Sequence, residues 1–583
     1  MFLKPSTPGY PQLQRTACAE QAAWGRFRSC GGTYGLTQVR EKDWLQGLKA
    51  AWARAGALPW LSGPGILIAV LLVCAPFALV EVPPLIDVPG HMGAAAIEAA
   101  GPGNPLEQYF TWKWVFTLNI GGGVLMKVLG AQFGILAAGW WSTVLATGLF
   151  AGGCLWTIRM LNPKGGHAAA WSLMFVFSFP LLTGFLNYIL ATGLSLTAFG
   201  ASLWLEQRNP KARAAMLVVA QPVAMLCHAI GGLLLALLVG AHAFGRAMDE
   251  LPEGWRWRDL TNRQWLRTLD WKAIGLRLWQ ACWPLLATVI TIVLWKAFSP
   301  PVQSMNIWRW DQKAWSFVLT LRDQSKLLDA GTTIIACLLV LVGPFLGAKW
   351  RFRQGMPALM VFLLFLAIPS DINGSAFVDI RILPVAAMLG LGLQDWSGAR
   401  RPQWARAVAY AGMALLAVRL TVTAWSFNGY AEDYNKQLSA LTHVEPGSRV
   451  LAFVEHSCLD ESWRNTRRDH LASLASLYRQ AWVNDNWAVP GLHMVVPRFR
   501  PGRNFTADPS EFVWSRGCAG GWRRSVDTAL KYAPIERVDY VWLIDTGLPR
   551  RADPRLQLVW QEGRSLLFKV RRLGIPTWQP KDL

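Results

Sequence analysis

Long apolar runs broken by short polar stretches dominate the first 425 residues. A hydrocarbon core about 30 Å thick takes roughly 20 helical residues to cross, fewer or more with tilt. The pattern predicts about eleven spans, near 64–82, 135–158, 170–186, 188–206, 214–230, 231–246, 281–298, 331–347, 357–369, 380–396 and 405–425. Segment 115–130 is also apolar, but it carries Lys113 at its entry, Asn119, the triplet Gly121 to Gly123, and Lys127. It reads as interfacial or re-entrant. From about residue 430 the runs shorten to strand length: SRVLAFV at 448–454, VDYVWLI at 538–544, and a hairpin at 556–570 turning around Glu562-Gly563-Arg564. Residues 468–482 place Leu471, Leu474, Leu477 and Tyr478 on one helical face. The expected fold is mostly α, a polytopic α-helical membrane bundle with a C-terminal extracytoplasmic α/β domain. Residues 1–60 read as a disordered cytoplasmic tail, 61–427 as the transmembrane domain and 428–583 as the outer domain.

Composition agrees with a membrane protein. Of 583 residues, 53% are hydrophobic and 16% charged, against about a quarter charged in soluble domains. The net charge of +21 would suggest nucleic acid in a soluble chain, so the position of the charges decides. With the N-terminus in the cytoplasm, the inner segments hold 26 Lys and Arg against eight acids, and the outer loops hold six Lys and Arg. The positive-inside rule then gives N-inside and C-outside. The outer domain, with 22 basic and 17 acidic residues, adds little net charge, so no nucleic-acid partner is expected. The first thirty residues lack a signal-peptide apolar core, which leaves span one as an uncleaved insertion signal. The 33 Trp suit interfacial belts. The expected location is the bacterial inner membrane.

Of nine Cys, five (Cys74, Cys154, Cys227, Cys282, Cys337) fall in predicted spans and two (Cys18, Cys30) in the tail. Cys458 and Cys518 are the pair left for the outer domain, where an oxidising compartment favours a disulfide over two buried thiols. No Cys or His spacing matches a zinc site.

Ionisable residues near membrane depth are costly and tend to be functional. After span one comes Pro83-Pro84-Leu85-Ile86-Asp87-Val88-Pro89-Gly90-His91, a rigid turn. If the chain turns helical at Pro89, Asp87 and His91 project near one another, as acid–base apparatus would; the alternative is that Asp87 simply caps that helix. Asn187 lies at a short outer turn, and His228 ends its span, where a packed structural histidine is the competing reading. The Trp-rich stretch 299–330, with Arg309 and Asp311, reads as an amphipathic helix in the interface. The loop Pro369 to Ser375, containing Asp371, leads to Asp379 and Arg381. Those two read either as an ion pair or as a site where Arg381 holds a phosphate with its forked donors.

No Walker, dinucleotide or nucleophile-elbow motif is present. Outer-face chemistry must then use an activated substrate such as a lipid-linked phosphate. The layout resembles the type C glycosyltransferases, multi-span enzymes with a catalytic acid in a large first outer loop. More narrowly it resembles a group of bacterial membrane proteins with D-x-P-x-H after span one, a later Asp-x-Arg, and an outer-domain helix like HLASLASLYRQAW at 470–482. The resemblance implies glycosyl transfer from a polyprenyl-phosphate sugar among membrane lipids, with Asp87 as the loop-one acid. His91 would orient it, and Arg381, aided by Arg309, would hold the phosphate. His228, Asn187, Asp379 and Asp371 complete the expected substrate-binding set. A divalent cation is left open as a cofactor. A lipid-glycan or small-molecule transporter and a non-catalytic polysaccharide-assembly protein are the competing classes. No internal duplication of the kind transporters show is visible.

Overall fold

The computed structural model describes residues 59–249, 251, 259, 261–299, 306–372, 375–456, 458, 462–502 and 504–571. The expected tail with Cys18 and Cys30 lies outside them, as do Asn373 and Gly374 of the later loop.

Helices run in the order α1 (Gly63–Cys74), α2 (Val88–Ala99), α3 (Gly121–Phe133), α4 (Ile135–Leu161), α5 (Ala169–Leu173), α6 (Phe179–Thr183), α7 (Leu186–Leu205), α8 (Pro210–Cys227), α9 (Ala229–Asp249), α10 (Arg263–Arg267), α11 (Trp271–Cys282), α12 (Leu286–Phe298), α13 (Trp310–Leu319), α14 (Lys326–Val342), α15 (Phe352–Ala367), α16 (Leu383–Gly392), α17 (Pro402–Leu438), α18 (Leu474–Arg479) and α19 (Val526–Tyr532). Local chemistry sets many of the starts. Ser62 caps α1 by accepting from the Gly65 N–H, Asn209 caps α8 and Asp270 caps α11. Pro402 opens the 37-residue α17 at its first turn, where its missing N–H has no intrahelical bond to lose.

Among the described residues, six stretches are long and apolar enough to cross a membrane: Ile135–Leu161, Leu186–Leu205, Ala229–Met248, Trp271–Phe298, Lys326–Leu346 and Pro402–His443. Leu71, Val219, Val293, Leu338 and Trp425 stand exposed on the helices, as side chains facing lipid do. The helices inside pack through small residues. A Cβ on Gly193 would lie 2.8 Å from the Phe150 nitrogen, and one on Gly153 would lie 2.8 Å from the Gly193 carbonyl, so α4 and α7 approach backbone to backbone.

The expected span at 170–186 is not a single helix. It breaks into α5 and α6 around a turn, with Pro180 in the first turn of α6 and Gly184 ending it at φ 87°. Its freed groups are bonded from other elements: the Phe179 N–H donates to the Thr320 carbonyl at 2.7 Å, and the Ser172 hydroxyl to the Met388 carbonyl at 2.8 Å. Broken helices are tolerated at membrane depth where protein surrounds them, and a fully buried segment carries the same hydropathy as a lipid-exposed one. The stretch 115–130 becomes α3, whose 13 residues reach only about 20 Å at 1.5 Å per residue.

Beyond α17 the chain forms a sheet. The strands are β1 (Phe110–Trp112), β2 (Asn306–Ile307), β3 (Asp371–Ile372), β4 (Arg449–His456), β5 (Trp482–Val483), β6 (Val495–Pro497), β7 (Phe512–Trp514), β8 (Tyr540–Ile544), β9 (Leu556–Glu562) and β10 (Ser565–Val570). The main sheet runs β5-β4-β8-β10-β9, with β7 also paired to β4. β4 is parallel to β5, β7 and β8, and the β9–β10 hairpin joins β8 antiparallel. The central strands are buried on both faces, as parallel strands require: Val450 to Val454 and Val541 to Ile544 are fully enclosed. Cys458 and Cys518 form a disulfide that ties the segment after β4 to the segment after β7.

Two small ribbons lie outside this sheet. β1, from the segment between α2 and α3, pairs antiparallel with β6, Phe110 opposite Pro497. β2 pairs with β3, Ile307 opposite Asp371. The first ties the segment after α2, the helix that Asp87 precedes, to the sheet part of the chain.

Candidate active site

Asp87 occupies the position before α2, yet its side chain makes no capping hydrogen bond, so capping does not account for it. Its N–H donates to the Thr183 carbonyl at 2.8 Å. A Cβ on Gly184 would sit 2.8 Å from that same nitrogen, so the turn ending α6 presses directly on Asp87. From the other side, α2 lies on the sheet part. A Cβ on Gly90 would come within 2.7 Å of the Trp487 ring, and one on Gly93 within 2.8 Å of Ser473. Glycines are the residues that let these surfaces close.

The imidazole beside Asp87 is that of His470, its Nε2 3.8 Å from Asp87 Oδ1. The sequence paired Asp87 with His91. In the structure the His91 ring lies against Trp487, centroids 4.9 Å apart, and bonds the backbone of Gly184. Trp487 also contacts His470 at 4.7 Å, so one indole separates the two histidines.

His470 is fixed from behind. Its Nδ1 lies 2.6 Å from Asp485 Oδ1, while Asp485 Oδ2 accepts the Ser473 N–H at 2.8 Å. Glu511 Oε1 stands 4.0 Å from the same Nδ1. The Glu511 carbonyl accepts the Val454 N–H at 2.9 Å, so its backbone belongs to the sheet. His470, Asp485 and Glu511 offer ligand atoms within 4.8 Å of one another.

Burial governs the protonation of this cluster. Desolvation raises the Asp87 carboxyl to about 7, with His470 and then Arg381 pulling the other way. Burial alone would depress His470, but Asp485, Asp508 and Asp87 carry it up to about 10, so it is an imidazolium at neutral pH. Burial also pushes Glu511 well above the usual carboxylate range, and Asp508 and Asp485 push it further. His91 falls to about 4, through burial and then through the charge of His470.

Arg381 belongs to this site electrostatically: its charge acts on Asp87 and Asp87 acts on it. Its guanidinium stacks 3.7 Å over the Phe185 ring and donates to the carbonyls of Phe377 and Ala376. It does not pair with Asp379. That carboxylate takes Lys313 at 3.1 Å and the Ser370 hydroxyl at 2.7 Å, because Lys313 reaches in from α13 and outcompetes the sequence neighbour. Arg309 and Asp371 bridge each other at 3.0 Å, alongside the β2–β3 ribbon. Asn187 is spent on backbone, accepting from the Gly122 N–H and donating to the Asn119 carbonyl. The His228 ring meets Tyr188 edge-on at 5.6 Å, and Tyr188 donates to the Arg381 carbonyl at 2.6 Å. Asp87, Arg381 and, through Tyr188, His228 are thus brought together; Asp379, Arg309, Asp371 and Asn187 serve other contacts.

Neither a protein-family profile nor a curated protein matches the sequence. Two solved structures are similar to the chain. ArnT from Cupriavidus metallidurans in the apo state aligns with a TM-score of 0.41 at 13% identity, covering 89% of this chain and 98% of that one. The same protein bound to undecaprenyl phosphate gives 0.40 at 12%, with the same coverage. No residue is carried across from either.

The residues that sequence reasoning missed are His470, Asp485, Asp508, Glu511 and Trp487. His470 stood in the helix 470–482, read there only for its apolar face. The one signal available was a clustering of acids and histidines in a domain otherwise rich in arginine.

Proposed function

We propose that the chain is an integral membrane glycosyltransferase that moves a sugar from a polyprenyl-phosphate donor to an acceptor hydroxyl on the extracytoplasmic face. The observation that carries this reading is Asp87: a largely enclosed carboxyl, free of any capping bond, held between the helical bundle and the sheet part with Arg381 and His470 acting on it. A carboxyl with a pKa near neutrality is suited to general base work. In the reaction the acceptor oxygen attacks the anomeric carbon, the bond from that carbon to the phosphate oxygen breaks, and the acceptor proton passes to Asp87. Polyprenyl phosphate leaves as a stable anion, so positioning and charge stabilisation do most of the catalysis. Arg381 is the residue assigned to the phosphate, since its donors meet neutral carbonyls and leave its positive charge unpaired locally. His470, held by Asp485, keeps a positive charge beside Asp87 and so favours its ionised, proton-accepting form. The exposed apolar helices provide the surface along which a polyprenyl tail would lie.

The test uses purified full-length protein in lipid nanodiscs, supplied with a polyprenyl-phosphate sugar and no ion gradient. Release of polyprenyl phosphate by the wild type, lost in Asp87→Asn, supports the reading. Turnover retained in that variant overturns it.

A further inference from the structure

The sheet part of the chain contains a buried carboxyl, that of Glu511, which the proposed transfer does not use. Both side-chain oxygens of Glu511 are buried with no hydrogen-bond partner, and the residue is 0% exposed. No protein N–H reaches either oxygen; the groups on that side are the Asp508 carboxyl and, at 4.0 Å, His470 Nδ1. A carboxylate oxygen only accepts, so what it lacks is a donor or a cation. The Asp508 carboxyl beside it can bond to it only by sharing a proton, which a cation held there would displace. The other basic group acting nearby, Arg524, gives its donors to the carbonyls of Ser510 and Phe512.

Around Glu511 the remaining groups are metal ligands by type and by distance. His470 Nδ1, Asp485 and Glu511 offer atoms within 4.8 Å of one another, and all three residues are buried. They come from three separate segments, and each is held by the fold: Asp485 by the Ser473 N–H, Glu511 by its bond to β4, and His470 by Trp487 packed on its ring.

We infer that His470, Asp485 and Glu511 form a binding site for one divalent transition-metal cation of the Mn2+ or Zn2+ kind. One imidazole with two carboxylates suits these ions better than Ca2+ or Mg2+, which favour all-oxygen sites. With the ion bound, His470 Nδ1 would give up its proton to ligate it, the ion would supply the positive charge that the imidazolium otherwise carries, and the Nε2–H would remain to donate toward Asp87. Asp87 then stands as the outer carboxylate of a carboxylate–histidine–metal arrangement. All the ligands lie in the C-terminal part of the chain, and binding is read without any sugar donor, so this inference stands or falls separately from the transferase reading.

The experiment uses the full-length wild type, stripped by chelator and then given Mn2+. About one ion per chain is expected to survive gel filtration, with histidine-nitrogen hyperfine coupling in its paramagnetic resonance spectrum, moved by 15N-histidine labelling. Glu511→Gln keeps the shape of the side chain and removes its charge. It should fold as the wild type does without metal, and bind Mn2+ at least about tenfold more weakly. A wild type that retains no Mn2+ or Zn2+, an ion lacking nitrogen coupling, or a Glu511→Gln protein that binds as tightly as the wild type would each overturn the inference. The wild-type spectrum decides the matter even if the variant fails to fold.

Discussion

The Arg467 guanidinium holds the Asp323 carboxylate at 2.6 Å, and both side chains are buried. The same guanidinium donates to the Pro84 carbonyl at 2.9 Å and lies over the rings of Phe427 and Tyr430. One side chain from the sheet part therefore touches the loop after α1, the loop before α14, and the long helix α17. Removing one partner of a buried pair strands the other, at a cost of about 3–5 kcal/mol. Asp323→Ala should lower the thermal unfolding midpoint in nanodiscs by several degrees, and Arg467→Ala should do the same. The double variant should lose less than the sum of the two; additive losses would mean that the pair is not coupled.

Asp87→Asn should reduce sugar transfer by about 10²–10⁴-fold, the usual scale for losing a general base. It removes a buried charge without changing volume, so the unfolding midpoint should stay level or rise. Measuring both separates a chemical role from a structural one.

Gly90 and Gly93 are where α2 meets the sheet part. Ala at Gly90 would drive a methyl into the Trp487 ring, and overpacking of this sort costs about 1–3 kcal/mol. Because the displaced surface carries Asp87, Gly90→Ala should lower transfer more than it lowers the midpoint. Gly101→Ala, where a Cβ meets open space, is the control and should change neither.

The Cys458–Cys518 disulfide closes a loop of 60 residues. Chain-entropy arguments put its contribution at roughly 4 kcal/mol. Replacing both cysteines by serine should speed proteolysis of the 458–525 segment while α4 and α7 stay protected; equal rates for the two proteins would count against a structural bond.

Sequence periodicity resolved the elements whose signal is local. The apolar runs of α4, α7, α9, α14 and α17 and the strands β4, β8, β9 and β10 lie where the hydrophobic pattern puts them. The 170–186 stretch failed because a buried broken segment and a membrane span share one hydropathy. The Asp379–Arg381 pairing failed because proximity in sequence says nothing of Lys313, which arrives from another helix. Asp87 stood out as a candidate because proline and histidine mark its loop. The His470–Asp485–Glu511 group did not, because its members come from three separate segments that only the fold brings together and no short spacing betrays them. His91 was a near miss: an imidazole does stand beside Asp87, but it is His470, brought there by the fold.

The contact between Arg467 and Pro84 spans 383 residues of chain. During synthesis, Asp87 leaves the ribosome long before the groups that complete its surroundings exist. The early helices can insert in the bilayer while the carboxyl has neither its histidine nor the lid of sheet above it. A chain interrupted anywhere before Arg467 lacks both the bond to Pro84 and the histidine beside Asp87. The surroundings of Asp87 are therefore completed only in the last fifth of translation, once residues 467 to 511 have been made.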